Sequence, residues 1–254
     1  MVNDHMNPTA PVSRARRHEA PSTGARRIVG RRMLVRDMLV RCIAPSLLSL
    51  LFAPLAPLAH TDLAAQAASR TWEFAAQLST APASREGGWF GGQVAGVTQS
   101  TLTLQASLDL VRVGPVALRY VAQLDPLVRL DGVERYERLA ARDAPLYVIG
   151  GTTARHGIAL VPLGLALEER LHPRVRLRAG TGLGVAGFTA HVPTAAGRQR
   201  NFIAQLETTA SVRLGTATWL EGGMRWRHVS NGFTAWENPG LDSRLLVLGV
   251  SWRR

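Results

Sequence analysis

The chain has 254 residues, long enough for one or two domains, and its 30 basic residues, all arginine, outnumber 18 acidic ones to give a formal charge of +12. Its one cysteine, Cys42, excludes a disulfide framework and a cysteine-based metal site. The basic excess does not build a nucleic-acid surface. Residues 1–67 carry nine arginines against four acids, the remaining arginines are spread through alternating strands, and no zinc-finger, helix-turn-helix or RNA-binding signature is present, so no nucleic-acid partner is expected.

The N-terminal quarter reads as a leader. Residues 1–32 are rich in Arg, Pro and Ala without apolar periodicity, and are expected to be a disordered extension or to precede the true start, Met33 or Met38. Residues 33–67 have the build of a secretory signal peptide: Arg36 and Arg41, then an apolar run from Ile43 to Ala59, then the small-residue site Ala65-Gln66-Ala67. The run contains three prolines and is barely long enough to span a bilayer, which favours cleavage over anchoring. An arginine directly before Cys42 argues against a lipoprotein signal.

From residue 68 onward the pattern is alternation, repeated. Trp72, Phe74, Ala76 and Leu78 alternate with Glu73, Ala75, Gln77 and Ser79. Leu102 to Leu110 follow in the same period, and after Gly114-Pro115 so do Val116, Leu118, Tyr120, Ala122 and Leu124. Residues 158–168 are apolar in both phases. Val175 to Val185 then alternate with Arg174, Arg176, Arg178, Gly180, Gly182 and Gly184, and Phe202 to Val212 with Gln205, Glu207, Ser211 and Arg213. Leu220, Met224 and Trp226 alternate with Glu221, Arg225 and Arg227, and Leu246 to Trp252 close the chain.

Residues of one phase share one face of a strand. Eight such strands, with short turns near 112–115, 169–173 and 213–217 and long connections near 80–99, 126–157, 187–200 and 231–241, form the pattern of an eight-stranded antiparallel transmembrane β-barrel at residues 68–254. A soluble sandwich or lipocalin-like barrel also alternates. The uncharged phase decides for a lipid-facing wall, and the charges of the other phase, such as Asp109, Arg119, Arg176 and Glu221, suit a polar interior. The expected location is therefore the bacterial outer membrane.

Chemistry is concentrated near the end of the seventh strand, in Arg225-Trp226-Arg227-His228-Val229-Ser230-Asn231-Gly232 and then Glu237-Asn238-Pro239-Gly240-Leu241-Asp242. His228 and Ser230 fall in the lipid-facing phase at the long-loop rim, where polar groups mark function more than they suit packing. A strand end running into polar turn chemistry is the bland alternative. A hairpin through 231–241 is expected to set Ser230 opposite Asp242 and His228 opposite Arg244, leaving Asp242 diagonal to His228 with Cα atoms about 7–8 Å apart. A nucleophile, a base and an orienting acid are the parts of a serine hydrolase.

This stretch resembles the motif of the outer-membrane lipid A 3-O-deacylases and related acyloxyacyl hydrolases: H-x-S-N-[AG] on the penultimate strand, then a loop asparagine, often in N-P-G, and an acid. The resemblance covers about residues 225–245 in motif and the barrel in architecture. It implies Ser230 as nucleophile, His228 as general base and Asp242 as orienting acid, with Asn238, Asn231, Gly232 and loop amides around the oxyanion. The family's best-known members carry glutamate where this chain has Asp242, and Glu237 is the alternative acid. The implied activity is an esterase removing an ester-linked acyl chain from lipid A, with lipopolysaccharide in the outer leaflet as partner, and no cofactor or metal. Arginines of the loops and rim, among them Arg135, Arg138, Arg142, Arg155, Arg198, Arg200 and Arg244, are candidates to meet lipid A phosphates. The alternatives are a non-enzymatic barrel, structural or adhesin-like, and a pore. Eight strands enclose too little space for a substantial channel.

His156, His172 and His191 stand singly, without metal-ligand spacing. The Gly180, Gly182, Gly184 series lacks the strand-then-helix setting of a nucleotide loop.

Overall fold

The computed structural model describes residues 71–139, 146–235 and 237–254. The extension and signal peptide expected at 1–67 lie outside the described residues.

Eight antiparallel strands close into one ring in sequence order: β1 (Trp72–Ala81), β2 (Thr98–Val113), β3 (Val116–Leu139), β4 (Leu146–His172), β5 (Val175–Val192), β6 (Arg198–Arg213), β7 (Thr218–Ser230) and β8 (Leu241–Arg253). Pairing of β1 with β8, from Glu73↔Arg253 to Thr80↔Leu246, completes the ring. The ring leaves no strand edge without a partner, which is what hydrocarbon demands of a β-structure. The chain is an eight-stranded antiparallel transmembrane β-barrel.

The outward phase is apolar and exposed on strand after strand: Leu78, Leu104, Leu124, Leu160, Leu183, Phe202, Leu220, Leu246 and Leu248. Trp72, Phe74 and Trp252 gather near the short-turn end, with Phe74 stacked on Trp252, as an interfacial aromatic girdle requires.

The double-apolar stretch of β4 is explained by a bulge. The register with β5 shifts between Leu160 and Leu163, so Ile158 and Leu160 face outward ahead of it and Leu163 and Leu165 after it. A bulge adds a residue on one strand and reverses the phase, and Pro162, which cannot donate to the ladder, sits at this one. Ala159 and Val161 point inward, yet remain apolar because they reach a hydrophobic plug at the long-loop end of the lumen. Val94, Val128, Leu130, Phe188, Ile203, Val229 and Leu241 belong to the same cluster.

Bulges also account for the main departure from the expected connections. The 126–157 connection is largely strand: β3 runs to Leu139, β4 begins at Leu146, and these two residues pair. Register shifts at Val121/Gln123, Asp125/Val128, Leu130/Val133 and Glu134/Tyr136 break the two-residue period, so the alternation fails in the sequence while the ladder continues. The 187–200 connection likewise shrinks to 193–197. Arg135, Arg138, Arg155, Arg198 and Arg200 consequently lie on strands, and Arg142 lies outside the described residues.

Below the plug the lumen is filled with paired charge. Glu73 is bonded by Arg176, Arg178 and Arg253, and lies 3.3 Å from Arg119. Glu168 takes Arg119 at 2.8 Å and also binds Arg253, while Glu221 takes Arg176 at 3.1 Å. One layer nearer the loops, Arg225 binds Glu207 (2.6 Å) and Gln77 (2.6 Å), and Arg227 binds Asp125 (2.6 Å) and Gln205 (2.7 Å). Among the described residues, plug and ion pairs together occupy the lumen, in keeping with the small space that eight strands enclose.

Removing one member of such a network strands buried charge of the opposite sign. Glu73→Ala is expected to destabilise the barrel by about 3–5 kcal/mol. Urea unfolding in phospholipid vesicles checks this against an outward-facing control such as Leu78→Ala, which should cost much less.

Candidate functional site at the loop-end rim

The alternation of β7 turns Glu221, Arg225 and Arg227 into the lumen, which leaves Trp226, His228 and Ser230 on the outer wall. β8 does the same for Asp242, Arg244 and Leu246. The register differs from expectation by two residues: His228 stands directly opposite Asp242, and Trp226 opposite Arg244. β8 starts at Leu241, opposite Val229, so Ser230 is the last residue of its strand and Asp242 is no longer diagonal to the histidine. Directly opposed residues have Cβ atoms about 4.5–5.5 Å apart, well inside diagonal distances. The shorter acid therefore reaches the imidazole. Asp242 Oδ1 lies 2.6 Å from His228 Nδ1.

The other carboxylate oxygen is held by a loop that sequence reasoning missed. Asp242 Oδ2 accepts hydrogen bonds from the backbone N–H groups of Phe90 and Gly92, each at 3.0 Å. Both belong to the β1–β2 connection, residues 82–97, which closure of the ring carries to the β8 side. Gln93 N and Val94 N donate to the Gly240 carbonyl (2.7 and 3.1 Å), and Ser84 Oγ braces the loop internally, donating to Val94 O and accepting from Val97 N. The carboxylate is thus fixed at both oxygens, with the imidazole on one side and two amides on the other.

Glycine is required where these parts meet. A Cβ on Gly92 would fall 2.8 Å from Asp242 Cγ, and one on Gly240 would fall 2.5 Å from His228 Cε1. Gly88 also lies against the Asp242 side chain. Phe90 covers the histidine, with ring centroids 5.9 Å apart, and Trp89 meets Trp226 edge to face at 6.1 Å. The signal in the sequence was Gly87-Gly88-Trp89-Phe90-Gly91-Gly92, a glycine-rich turn with two aromatics, but nothing local assigns it to a strand far along the chain.

Ser230 shares the face of His228, is 8% exposed and pairs across β6 with Phe202. Its hydroxyl makes no hydrogen bond to His228 in this structure; the imidazole's side-chain bond runs to Asp242. Asn231 is buried and acts as a clamp on the β7–β8 loop. Its Nδ2 donates to Glu237 O (2.7 Å), while its carbonyl accepts from Thr234 N (3.2 Å) and Oγ1 (2.7 Å). Gly232, at φ +62°, turns the chain sharply after the strand and packs against the Phe202 ring; Phe233 continues in the same left-handed region. Asn238 is half-buried and its side-chain oxygen has no partner. Glu237 is exposed, and the acid on the histidine is Asp242 rather than Glu237.

No family model and no curated protein sequence matches this chain. Several solved structures are similar to it in fold. The outer membrane enzyme PagL is 16% identical over 70% of this chain and 97% of its own, with a TM-score of 0.45. Ail, the attachment invasion locus protein of Yersinia pestis, is 8% identical over 73% and 98%, TM-score 0.41. OprG of Pseudomonas aeruginosa is 10% identical over 74% and 96%, TM-score 0.37. These are likenesses between small outer-membrane barrels, and they decide nothing about activity.

The tight seat of Asp242 is measurable. Gly92→Ala forces the loop off the carboxylate and is expected to destabilise the barrel by about 1–3 kcal/mol, the usual cost of overpacking. In Asp242→Ala, ¹⁵N NMR of the imidazole should show that His228 loses its preference for a proton on Nδ1.

Proposed function

We propose that the protein is an outer-membrane serine esterase that removes an ester-linked acyl chain, at the 3-O position, from lipid A of lipopolysaccharide. The observation that carries this is the 2.6 Å His228–Asp242 pair on the lipid-facing wall, with Ser230 one pleat repeat beyond it on the same face. A soluble substrate would gain nothing from a site turned toward the bilayer. An acylated glycolipid of the outer leaflet presents its ester at this level.

In the mechanism, Asp242 accepts a hydrogen bond from His228 Nδ1–H and holds the ring, leaving Nε2 as the base. His228 takes the Ser230 proton as Oγ attacks the ester carbonyl, and the tetrahedral oxyanion is stabilised by Asn238 and loop amides. Collapse breaks the C–O bond to the sugar, whose oxygen receives the proton from His228. Water, activated by the same histidine, then releases the fatty acid from Ser230. The two amides on Asp242 Oδ2 keep the acid in place without a longer side chain.

The second reading, a barrel without chemistry, is favoured by the missing Ser230–His228 hydrogen bond. Catalytic hydrogen bonds are often long or poorly aligned before substrate arrives, and rotation of the Ser230 hydroxyl about χ1 changes its distance from Nε2.

Mass spectrometry of lipid A from cells expressing the protein tests the proposal. Ser230→Ala and His228→Asn are each expected to lower the deacylation rate by at least about 10³-fold. Full activity in Ser230→Ala would remove serine catalysis from consideration. Asp242→Glu should reduce the rate, because the longer acid no longer fits the directly opposed register and the Gly88–Gly92 seat. A rate above wild type would contradict that geometry.

A further inference from the structure

One cleft at the rim lies outside the groups used above. It opens between β5 and β6 on the outer wall, with a volume of about 780 Å³, and is lined by Arg198, Arg200, Val185, Phe202, His191 and Thr234 among others, with no carboxylate in the lining. Its floor is apolar and lipid-facing: Val185 and Phe202 pair across the two strands, and both are exposed. Its upper wall is cationic. Arg198 is tethered, donating from Nη2 to Thr234 O at 3.2 Å. Arg200 is exposed and has no hydrogen-bond or ion-pair partner among the described residues. Opposite it stands Gly187, where an added Cβ would meet nothing within 4 Å, so the space before the guanidinium is open.

The cleft adjoins the site. Phe202 pairs with Ser230, and Arg200 lies two residues further toward the loops in the same phase. One strand spacing and two strand residues put the Ser230 and Arg200 Cα atoms about 8 Å apart. Thr234, which receives the Arg198 bond, also donates to the Asn231 carbonyl, so Arg198 and the loop after Ser230 form one hydrogen-bonded unit.

An unpaired guanidinium directly above an exposed aromatic floor, on a wall that faces lipid, fits an anion attached to an apolar chain. Guanidinium groups match phosphate oxygens in fork geometry, and their weak hydration lowers the cost of leaving water. We propose that this β5–β6 cleft binds the phosphate group of a phosphorylated membrane amphiphile, with Arg200 as the primary cation, Arg198 as the tethered second one, and Val185 and Phe202 under the apolar part. The proposal rests on the esterase reading only in taking that amphiphile to be the molecule whose ester meets Ser230. Binding at the cleft is a separate property.

The test uses Ser230→Ala protein in detergent, which keeps the lipid intact, and native mass spectrometry to read bound lipid. Purified lipid A carrying its phosphates is compared with the same lipid A after phosphatase treatment. The phosphorylated form is expected to bind about tenfold more tightly, the equivalent of one charge-assisted hydrogen bond. Arg200→Ala should abolish that preference and Arg200→Lys retain part of it. Arg129→Ala, at an exposed arginine paired with Asp131 elsewhere on the barrel, should leave it intact. Equal binding of the two lipids, a preference unchanged in Arg200→Ala, or an equal loss in Arg129→Ala would overturn the proposal. So would displacement of the lipid by equimolar inorganic phosphate, which would make the cleft a site for the free anion. Because hydrolysis is never read, an inactive Ser230–His228 pair leaves these outcomes unaffected.

Discussion

A strand in hydrocarbon finds no water for its amide and carbonyl groups, so each must be paired within the protein. Here that requirement is met by the β1–β8 ladder, and the rest of the molecule follows from it. Once the ring closes, side chains have two destinations, lipid or lumen. The lumen of eight strands is narrow enough that whatever enters must be packed and paired. Arginines are affordable inside only because Glu73, Glu168, Glu221, Glu207 and Asp125 stand within bonding distance from other strands.

Closure also creates the site. β7 and β8 alone bring His228 beside Asp242, but the second carboxylate oxygen is satisfied by amides from a loop near the start of the described chain. That loop arrives because β1 is the neighbour of β8. It feeds Val94 and Val97 into the plug and sets Trp89 and Phe90 over Trp226 and His228, so lumen packing and acid orientation share one segment.

The aspartate itself illustrates how register governs which side chains can bond. The family resemblance implied glutamate at this position, and a diagonal placement would have needed its extra methylene. Direct opposition removes that need, and the backbone at Gly88 and Gly92 closes directly on the Asp242 side chain. A side-chain length that looked like a departure is the length this backbone accommodates.

The sequence by itself determined the fold class, the strand number and which face most strands turn to lipid, because a two-residue period is written locally in residues such as Leu102 to Leu110; β4, apolar in both phases, was the exception. It also put His228 and Ser230 on the outer wall, since phase alone decides that. It did not reveal where β3 and β4 end, because bulges interrupt the period that signals a strand. Nor did it reveal the exact pairing of β7 with β8, which depends on how the 231–240 loop spends its residues around Asn231 and Gly232. The role of Gly88, Phe90 and Gly92 was out of reach altogether. Their contact with Asp242 spans some 150 residues, and only closure of the ring brings the two ends together.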